Sequence, residues 1–225
     1  MKVAVDGYSS TGKSTVARII AEKLGLIYID TGAMYRAVTL FALRNGMFDG
    51  EKLDTERLES RLSDIVVGFV RNEVSGAVET TLNGEPVEKE IRGMDVSDKV
   101  SIVAAVKSVR SLLVRNQRQM SEGTDVIMDG RDIGTVVFPD ADIKFFLTAS
   151  PEVRAVRRFD ELLATGERVS MEEVRENIEK RDYIDTHRDE SPLVQAEDAV
   201  VIDNGELTVE QEVAMMVSMI QDIRS

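Results

Sequence analysis

The chain has no cysteine, no tryptophan and a single histidine among its 225 residues. Without thiols, a disulfide framework, a catalytic thiolate and a cysteine-ligated metal are excluded, and one imidazole is no basis for a histidine-built zinc centre. Proline is scarce at 4 residues and glycine stands at 15, far from a collagen-like or low-complexity composition. Positive charge is also short: 28 Lys and Arg face 41 Asp and Glu, a net charge of -13, and such a field repels a polyanion. With aromatics at only 5%, a base-stacking platform is disfavoured too, so no nucleic-acid partner is expected. No run of about 18 apolar residues occurs. The opening Met1-Lys2-Val3-Ala4-Val5-Asp6 enters a strand pattern directly, without the apolar core of a signal peptide. A cytoplasmic protein that engages no membrane is expected.

What is present is ordinary folding material: 43% hydrophobic and 31% charged residues, enough to bury a core in one main domain with a small insert. Arg outnumbers Lys 19 to 9, and the guanidinium fork suits bidentate recognition of phosphate and carboxylate. Five short apolar segments, 2–6, 26–30, 125–129, 143–147 and 199–203, read as buried strands, several ending in Asp. Helix-period stretches at 13–24, 34–44, 102–120, 151–164, 171–183 and 208–223 alternate with them. This alternation predicts a parallel sheet covered on both faces, with ligands beyond the carboxyl ends of the strands. The stretch 65–100 breaks the rhythm, because Asn83-Gly84 flanked by apolar runs is a tight-hairpin signal. It is expected to be a small antiparallel insert that interrupts the α/β core.

Gly7-Tyr8-Ser9-Ser10-Thr11-Gly12-Lys13-Ser14-Thr15 fits G-x-x-x-x-G-K-[ST] between a strand and a helix, the context in which the motif holds a nucleoside triphosphate. Its glycines let successive N–H groups turn inward, and the following helix adds its positive end. Lys13 is expected on the β and γ phosphates, and Ser14 with Asp129, at a strand tip, on Mg²⁺. A phosphate loop serves GTPases, motors and small-molecule kinases alike. Neither Asn-Lys-x-Asp nor Asp-x-x-Gly occurs in the sequence, so a signalling GTPase loses ground to a kinase.

Arg131 and Asp132 follow the strand tip at Asp129, and read either as an exposed ion-paired turn or as contacts to a second ligand. Arg181, Asp185 and Arg188 share a helix face if the helix runs that far, as an ion-pair stripe or as a site. Arg154, Arg157 and Arg158 likewise share a face, and like charges so close call for an anion or for neighbouring acids. A phosphate monoester acceptor has a second pKa of about 6 and needs no general base at pH 7. A chain with one histidine fits that acceptor; His187, among charged residues, reads as a surface side chain.

Beyond the loop, the chain carries Asp30-Thr31-Gly32-Ala33-Met34-Tyr35-Arg36, Asp129-Gly130-Arg131-Asp132-Ile133-Gly134-Thr135-Val136-Val137-Phe138-Pro139, Arg181-Asp182 with Asp185 and Arg188, and Ser191-Pro192-Leu193. On these blocks it closely resembles, almost end to end, the bacterial cytidylate kinases, which phosphorylate CMP and dCMP. The resemblance implies an α/β fold: a P-loop kinase core, residues 1–225, with a five-stranded parallel sheet flanked by helices, the 65–100 insert as a monophosphate-binding subdomain, and a helical lid at about 154–168. It implies ATP as donor with Mg²⁺, and small-molecule acceptors; nothing in the motif set needs a second subunit, so a monomer is expected. Gly7 through Thr15 with Arg154 and Arg158 would hold the donor, and Lys13, Arg131, Arg157 and Arg188 would carry catalysis. Thr31, Ser101, Arg110 and Asp132 would surround the cytosine, Arg36, Arg131 and Arg188 the acceptor phosphate, and Arg181 and Asp185 the ribose.

The chemistry supports one of these roles independently. Cytosine offers an amino donor where uracil offers a carbonyl, so a carboxylate at Asp132 accepts from one and repels the other. Two departures from the family pattern retain the required groups: Thr31 stands where Ser is common, and Tyr8 where Pro is common. Ser101 and Arg110 lie nine residues apart, on opposite faces of an unbroken helix, so both reach one base only if the helix breaks between them. Another small-metabolite kinase, or a nucleotide-switched binding protein, remains the alternative.

Overall fold

A computed structural model of the chain describes residues 1–73 and 77–224. Positions 74–76, within the expected 65–100 insert, and position 225 lie outside the described residues. By compactness the chain divides into two units, Met1–Thr31 with Asn116–Ser225, and Gly32–Arg115.

Along the first unit run β1 (Lys2–Gly7), α1 (Lys13–Leu24) and β2 (Ile27–Asp30). The chain then enters α2 (Thr31–Arg44) and the second unit, which adds β3 (Phe48–Asp49), β4 (Lys52–Leu53), α3 (Thr55–Ser60), β5 (Val67–Arg71), β6 (Val78–Leu82), β7 (Glu85–Pro86), α4 (Met94–Ser97) and α5 (Val100–Ala104). From α6 (Lys107–Met120) it returns to the first unit through β8 (Val126–Gly130), a π-helical turn (Ile133–Val137), β9 (Ile143–Thr148), α7 (Pro151–Ala164), α8 (Met171–His187), β10 (Val200–Asp203) and α9 (Val209–Arg224). Among the described residues, no helix is long and apolar enough to cross a membrane.

The five strands of the first unit form the expected parallel sheet, in the order β10-β9-β1-β8-β2. The central strands are apolar at nearly every position because both faces are covered. Val3, Val5, Ile127, Phe145 and Leu147 join Val16, Ile20, Val213, Met216 and Ile220 of α1 and α9 in one buried cluster. β1 lies between β8 and β9, and its register sets Asp6 opposite Gly130 and Gly7 opposite Leu147. The chain leaves β1 and β8 at the same edge, which is where the expected ligand crevice falls.

In the second unit β5, β6 and β7 form an antiparallel sheet with the turn at Asn83 (φ 52) and Gly84 (φ 84). The helix expected over 102–120 is two helices. Ala105 and Val106 separate α5 from α6, and the last turn of α5 tightens as Val106 N–H donates to Val103 O at 3.1 Å. The helix expected over 171–183 runs to His187, opened by a capping box of Ser170 and Glu173.

Gly7 has φ 147, and a Cβ there would lie 2.1 Å from the carbonyl oxygen of Leu147 on the neighbouring strand. Gly25, the C-cap of α1, has φ 68 with open space around it. Gly7→Ala is expected to cost more than about 3 kcal/mol, because backbone must shift, whereas Gly25→Ala costs about 1–2 kcal/mol for its left-handed backbone alone. Urea unfolding midpoints of the two variants check this; equal losses would contradict it.

Candidate active site

α1 begins directly after Gly12 (φ 87), with no side chain capping its N-terminus and no acid in its first turn. Its first N–H groups and the positive end of its dipole therefore face the loop unneutralised, the arrangement that binds a phosphate. Gly7, Ser10 (φ 59) and Gly12 supply the positive φ values that curl the loop. Lys13 is buried, and its Nζ donates to Tyr8 O at 2.5 Å and to Thr11 Oγ1 at 3.2 Å. Burial, then the nearby Arg131, pushes the Lys13 ammonium well below its ordinary pKa against the pull of Asp129, Asp182 and Asp6. An anion in the loop would relieve that strain. Thr11 O accepts from Asn204 Nδ2 at 2.7 Å, which ties the far limb of the loop to the end of β10.

Beside the loop, the Asp129 carboxylate accepts from Ser14 Oγ and from Tyr28 OH, each at 2.8 Å. Burial and then the Asp30 charge raise its pKa to about 6. Among the described residues no group of three or more His, Asp or Glu could hold a metal. A hydrated Mg²⁺, however, keeps several waters and takes one or two protein oxygens alongside substrate phosphates. One hydroxyl and one poorly solvated carboxylate in contact fit that ion.

After β8 the chain makes the π turn, closed by Val137 N–H to Asp132 O at 3.1 Å and Phe138 N–H to Ile133 O at 2.7 Å. Two groups that sequence reasoning did not single out hold it. The Asp6 carboxylate accepts from Ile133 N–H at 2.8 Å and from Gly134 N–H at 2.7 Å. Lys144 is buried beneath, where a Cβ on Gly134 would meet its Cδ at 3.0 Å, and its Nζ donates to Pro139 O at 2.7 Å. Asp132, which opens this turn, is thereby fixed through its own backbone. Thr31 Oγ1 donates to Asp129 O at 2.6 Å, locking β2's end to β8's.

Arg131 Nε donates to Asp185 Oδ2 at 2.9 Å, and Arg188 lies 3.5 Å from Asp185 and 4.0 Å from Asp132. Burial alone would raise Asp185, but Arg131, Arg188 and Arg181 together hold its carboxyl below the usual range. Asp132, Arg131, Asp185 and Arg188 thus form one charge group, buried except for the half-buried Arg131. α8 carries Asp185 in its last turn but ends at His187, so Arg188 follows as its C-cap in extended backbone and does not continue the helix face expected for it. Ser191-Pro192-Leu193 acts locally, since Ser191 O accepts from Arg188 Nε and Nη2 at 2.9 and 2.7 Å.

The three arginines of α7 have different surroundings. Arg154 is buried under the loop, donating to Ser9 O at 3.1 Å and pairing with Asp182. Arg157 donates to Asn204 Oδ1 at 2.8 Å and to Asn204 O at 2.7 Å, while Arg158 pairs with Glu161 at 2.9 Å. Asn204, whose Nδ2 also donates to Glu212 Oε1 at 3.0 Å, is a further residue that the sequence does not flag, and Asp182 is legible there only as part of a motif. In the second unit Ser101 and Arg110 are both buried, with the intervening helix break, and Arg110 Nη1 donates to Ala104 O at 3.0 Å, capping α5. Arg36, on α2, belongs to this same unit.

Asp6 provides a pH signature. Burial, partly offset by the Gly134 and Ile133 N–H groups, raises its pKa from 3.8 to about 7. A carboxyl whose folded pKa exceeds its unfolded one binds more protons when folded, so its contribution to stability falls as pH rises from about 4 through about 7. The full span is worth up to about 4 kcal/mol. Asp6→Asn, with no such titration, is expected to flatten the decline between pH 5 and 8 in urea midpoints. An unchanged slope would contradict the assignment.

A family model described as Cytidylate kinase matches residues 3–222. Curated proteins named Cytidylate kinase are 56% identical over 95% of this chain and 93% of the relative in Parabacteroides distasonis, and 52% over 93% and 92% in Bacteroides thetaiotaomicron. The Porphyromonas gingivalis protein of that name is 50% identical over 98% of this chain and 96% of its own length. Among solved structures, an uncharacterized protein from Eubacterium ventriosum superposes with a TM-score of 0.53 at 11% identity, covering 99% of this chain and 98% of that one. Shikimate kinase from Bacteroides thetaiotaomicron does so at 0.50 and 14%, covering 99% and 97%. These two likenesses concern the fold alone, whereas the family model spans nearly the whole chain and the three relatives are 50–56% identical over 93–98% of it: the chain belongs to the cytidylate kinase family.

Proposed function

We propose that the protein transfers the γ-phosphoryl group of ATP to CMP or dCMP, forming CDP or dCDP. One observation carries the reading in a chain of this family: an open phosphate loop leaves β1 while, from the neighbouring strand, the Arg131-Asp132 segment is pinned to the same strand end by Asp6. Donor and acceptor machinery are thereby fixed to one rigid edge, and positioning of this kind supplies much of the acceleration in phosphoryl transfer.

In this reading the Lys13 ammonium and the backbone of the Gly7–Thr15 loop bind the triphosphate, save at Ser9, whose N–H is given to Asp182. Arg154 and Arg158 serve the donor side, and Arg157 meets charge on the moving phosphoryl group. Ser14 and Asp129 would hold Mg²⁺, which, when bound, neutralises charge on the β and γ phosphate oxygens. Arg36, Arg131 and Arg188 grip the acceptor phosphate, whose oxygen is already ionised at pH 7, so no side chain has to remove a proton. Arg181 and Asp185 take the ribose. Thr31, Ser101, Arg110 and Asp132 surround the base, and Asp132 accepts from the cytosine amino group while repelling the uracil carbonyl. Residues 65–100 serve as the monophosphate-binding insert, and residues 154–168 as a lid whose closure excludes water and suppresses ATP hydrolysis. The protein works as a cytoplasmic monomer on small molecules. Its lack of cysteine suits a reducing compartment.

ADP formation from Mg-ATP is expected to be fastest with CMP and dCMP, and at least tenfold slower with UMP and AMP. Asp132→Ala should bring CMP and UMP to within a few-fold of each other. Lys13→Ala should lower kcat about 10²- to 10³-fold by removing charge that stabilises the transition state. Preference for AMP or for a non-nucleotide acceptor in the panel would contradict the acceptor assignment.

A further inference from the structure

Ser9 occupies one of the loop's variable positions, yet its polar groups point away from a phosphate cradle. Its side chain is almost fully buried, at 1% exposure. Its N–H donates to Asp182 Oδ1 on α8 at 3.0 Å, its carbonyl accepts from Arg154 Nη1 on α7 at 3.1 Å, and its hydroxyl oxygen accepts from Arg131 Nη2 at 3.0 Å. Arg154 and Asp182 are themselves an ion pair, so the Ser9 peptide is clasped on both sides by one charge-compensated clamp. Tyr8 adds to it, with its ring edge on Phe146 at 5.8 Å and the Arg154 guanidinium 5.4 Å from its ring centroid.

The consequence falls on Arg131. A guanidinium has five N–H donors in a plane. Arg131 Nε is taken by Asp185 and one Nη2 hydrogen by Ser9, while Nη1 makes only a long 3.5 Å contact to Gly130 O. One hydrogen remains on each terminal nitrogen, the edge that matches two oxygens of a phosphate. The bond to Asp185 alone leaves the guanidinium able to swing about Nε; the second hold, from the clamped Ser9 hydroxyl, fixes the plane.

We propose that Ser9, although it belongs to the donor loop, is a positioning residue for the acceptor phosphate, acting through Arg131. The proposal rests on the kinase reading. The donor loop would then transmit its own order to the acceptor site, because the loop conformation that orders Ser9 also orients Arg131.

The test is steady-state kinetics of Ser9→Ala with each substrate varied. The KM for CMP is expected to rise about tenfold, the effect of losing one hydrogen bond to a charged group, while the KM for ATP moves less than twofold. In an Arg131→Ala background, adding Ser9→Ala should change the KM for CMP less than twofold, since the residue has nothing left to orient. If thermal melting shows Ser9→Ala unfolded, Ser9→Cys, which keeps the shape with a much weaker acceptor, takes its place in the same two backgrounds. Equal rises in both KM values, no rise in either, or additive effects with Arg131→Ala would overturn the proposal. Absence of CMP-dependent turnover in the parent protein would overturn the kinase reading instead, and the proposal with it.

Discussion

The register between β1 and β8 is the constraint on which the site depends. A one-residue slip would move every side chain of the shifted strand from one covered face of the sheet to the other, and the register as it stands places Asp6 opposite Gly130 and Val5 opposite Asp129. From those fixed points the chain makes two turns that could not otherwise be aligned to hydrogen-bond precision. One is the phosphate loop before α1; the other is the π turn that begins after Asp132. Asp6 then joins them directly, one side chain of the first strand holding two N–H groups of the segment that leaves the second. Gly7 and Gly130 lack side chains where such closeness demands it: a Cβ at Gly130 would come within 2.7 Å of Thr31 Oγ1.

Burying charge at this edge is costly unless each group is paired. The carboxylates of Asp6, Asp129, Asp132 and Asp185 are all buried, as are Lys13, Arg154 and Arg188. The pairing is uneven. Asp185 is overcompensated by arginines, and its carboxyl is held low. Asp129 and Asp6 are pushed up, and Lys13 is pushed down, chiefly by burial. This imbalance suits a site that receives ligands of strong charge: a cation improves the surroundings of Asp129, and a polyphosphate those of Lys13.

Local patterns made much of this visible in the sequence. All five core strands and the ends of α1 and α7 are written in apolar runs, a Gly-Lys-Ser motif and a Ser-Pro helix start. The hairpin at Asn83-Gly84 is written in its turn residues. What was illegible has a common character. The β3–β4 hairpin, Phe48–Asp49 with Lys52–Leu53, is too short for any periodicity. The break between α5 and α6 carries neither Gly nor Pro; its cap is a side chain six residues on, the Arg110 guanidinium on Ala104 O. Asp6, Asp182 and Asn204 act on chain segments more than 120 residues away in sequence, and a single sequence carries no signal for such pairings. Asp6 could have been suspected, since it ends a strand beside the phosphate loop.

The central claim is that one strand edge presents two phosphates to each other for direct transfer. Its most direct test is to follow the label: incubate the protein with ATP carrying a radioactive γ-phosphate and CMP, separate the products, and locate the radioactivity. The account predicts label in the terminal phosphate of CDP, with little free phosphate while CMP is in excess. Label released as inorganic phosphate at a rate indifferent to CMP would contradict it, and would make the loop the motor of some other process.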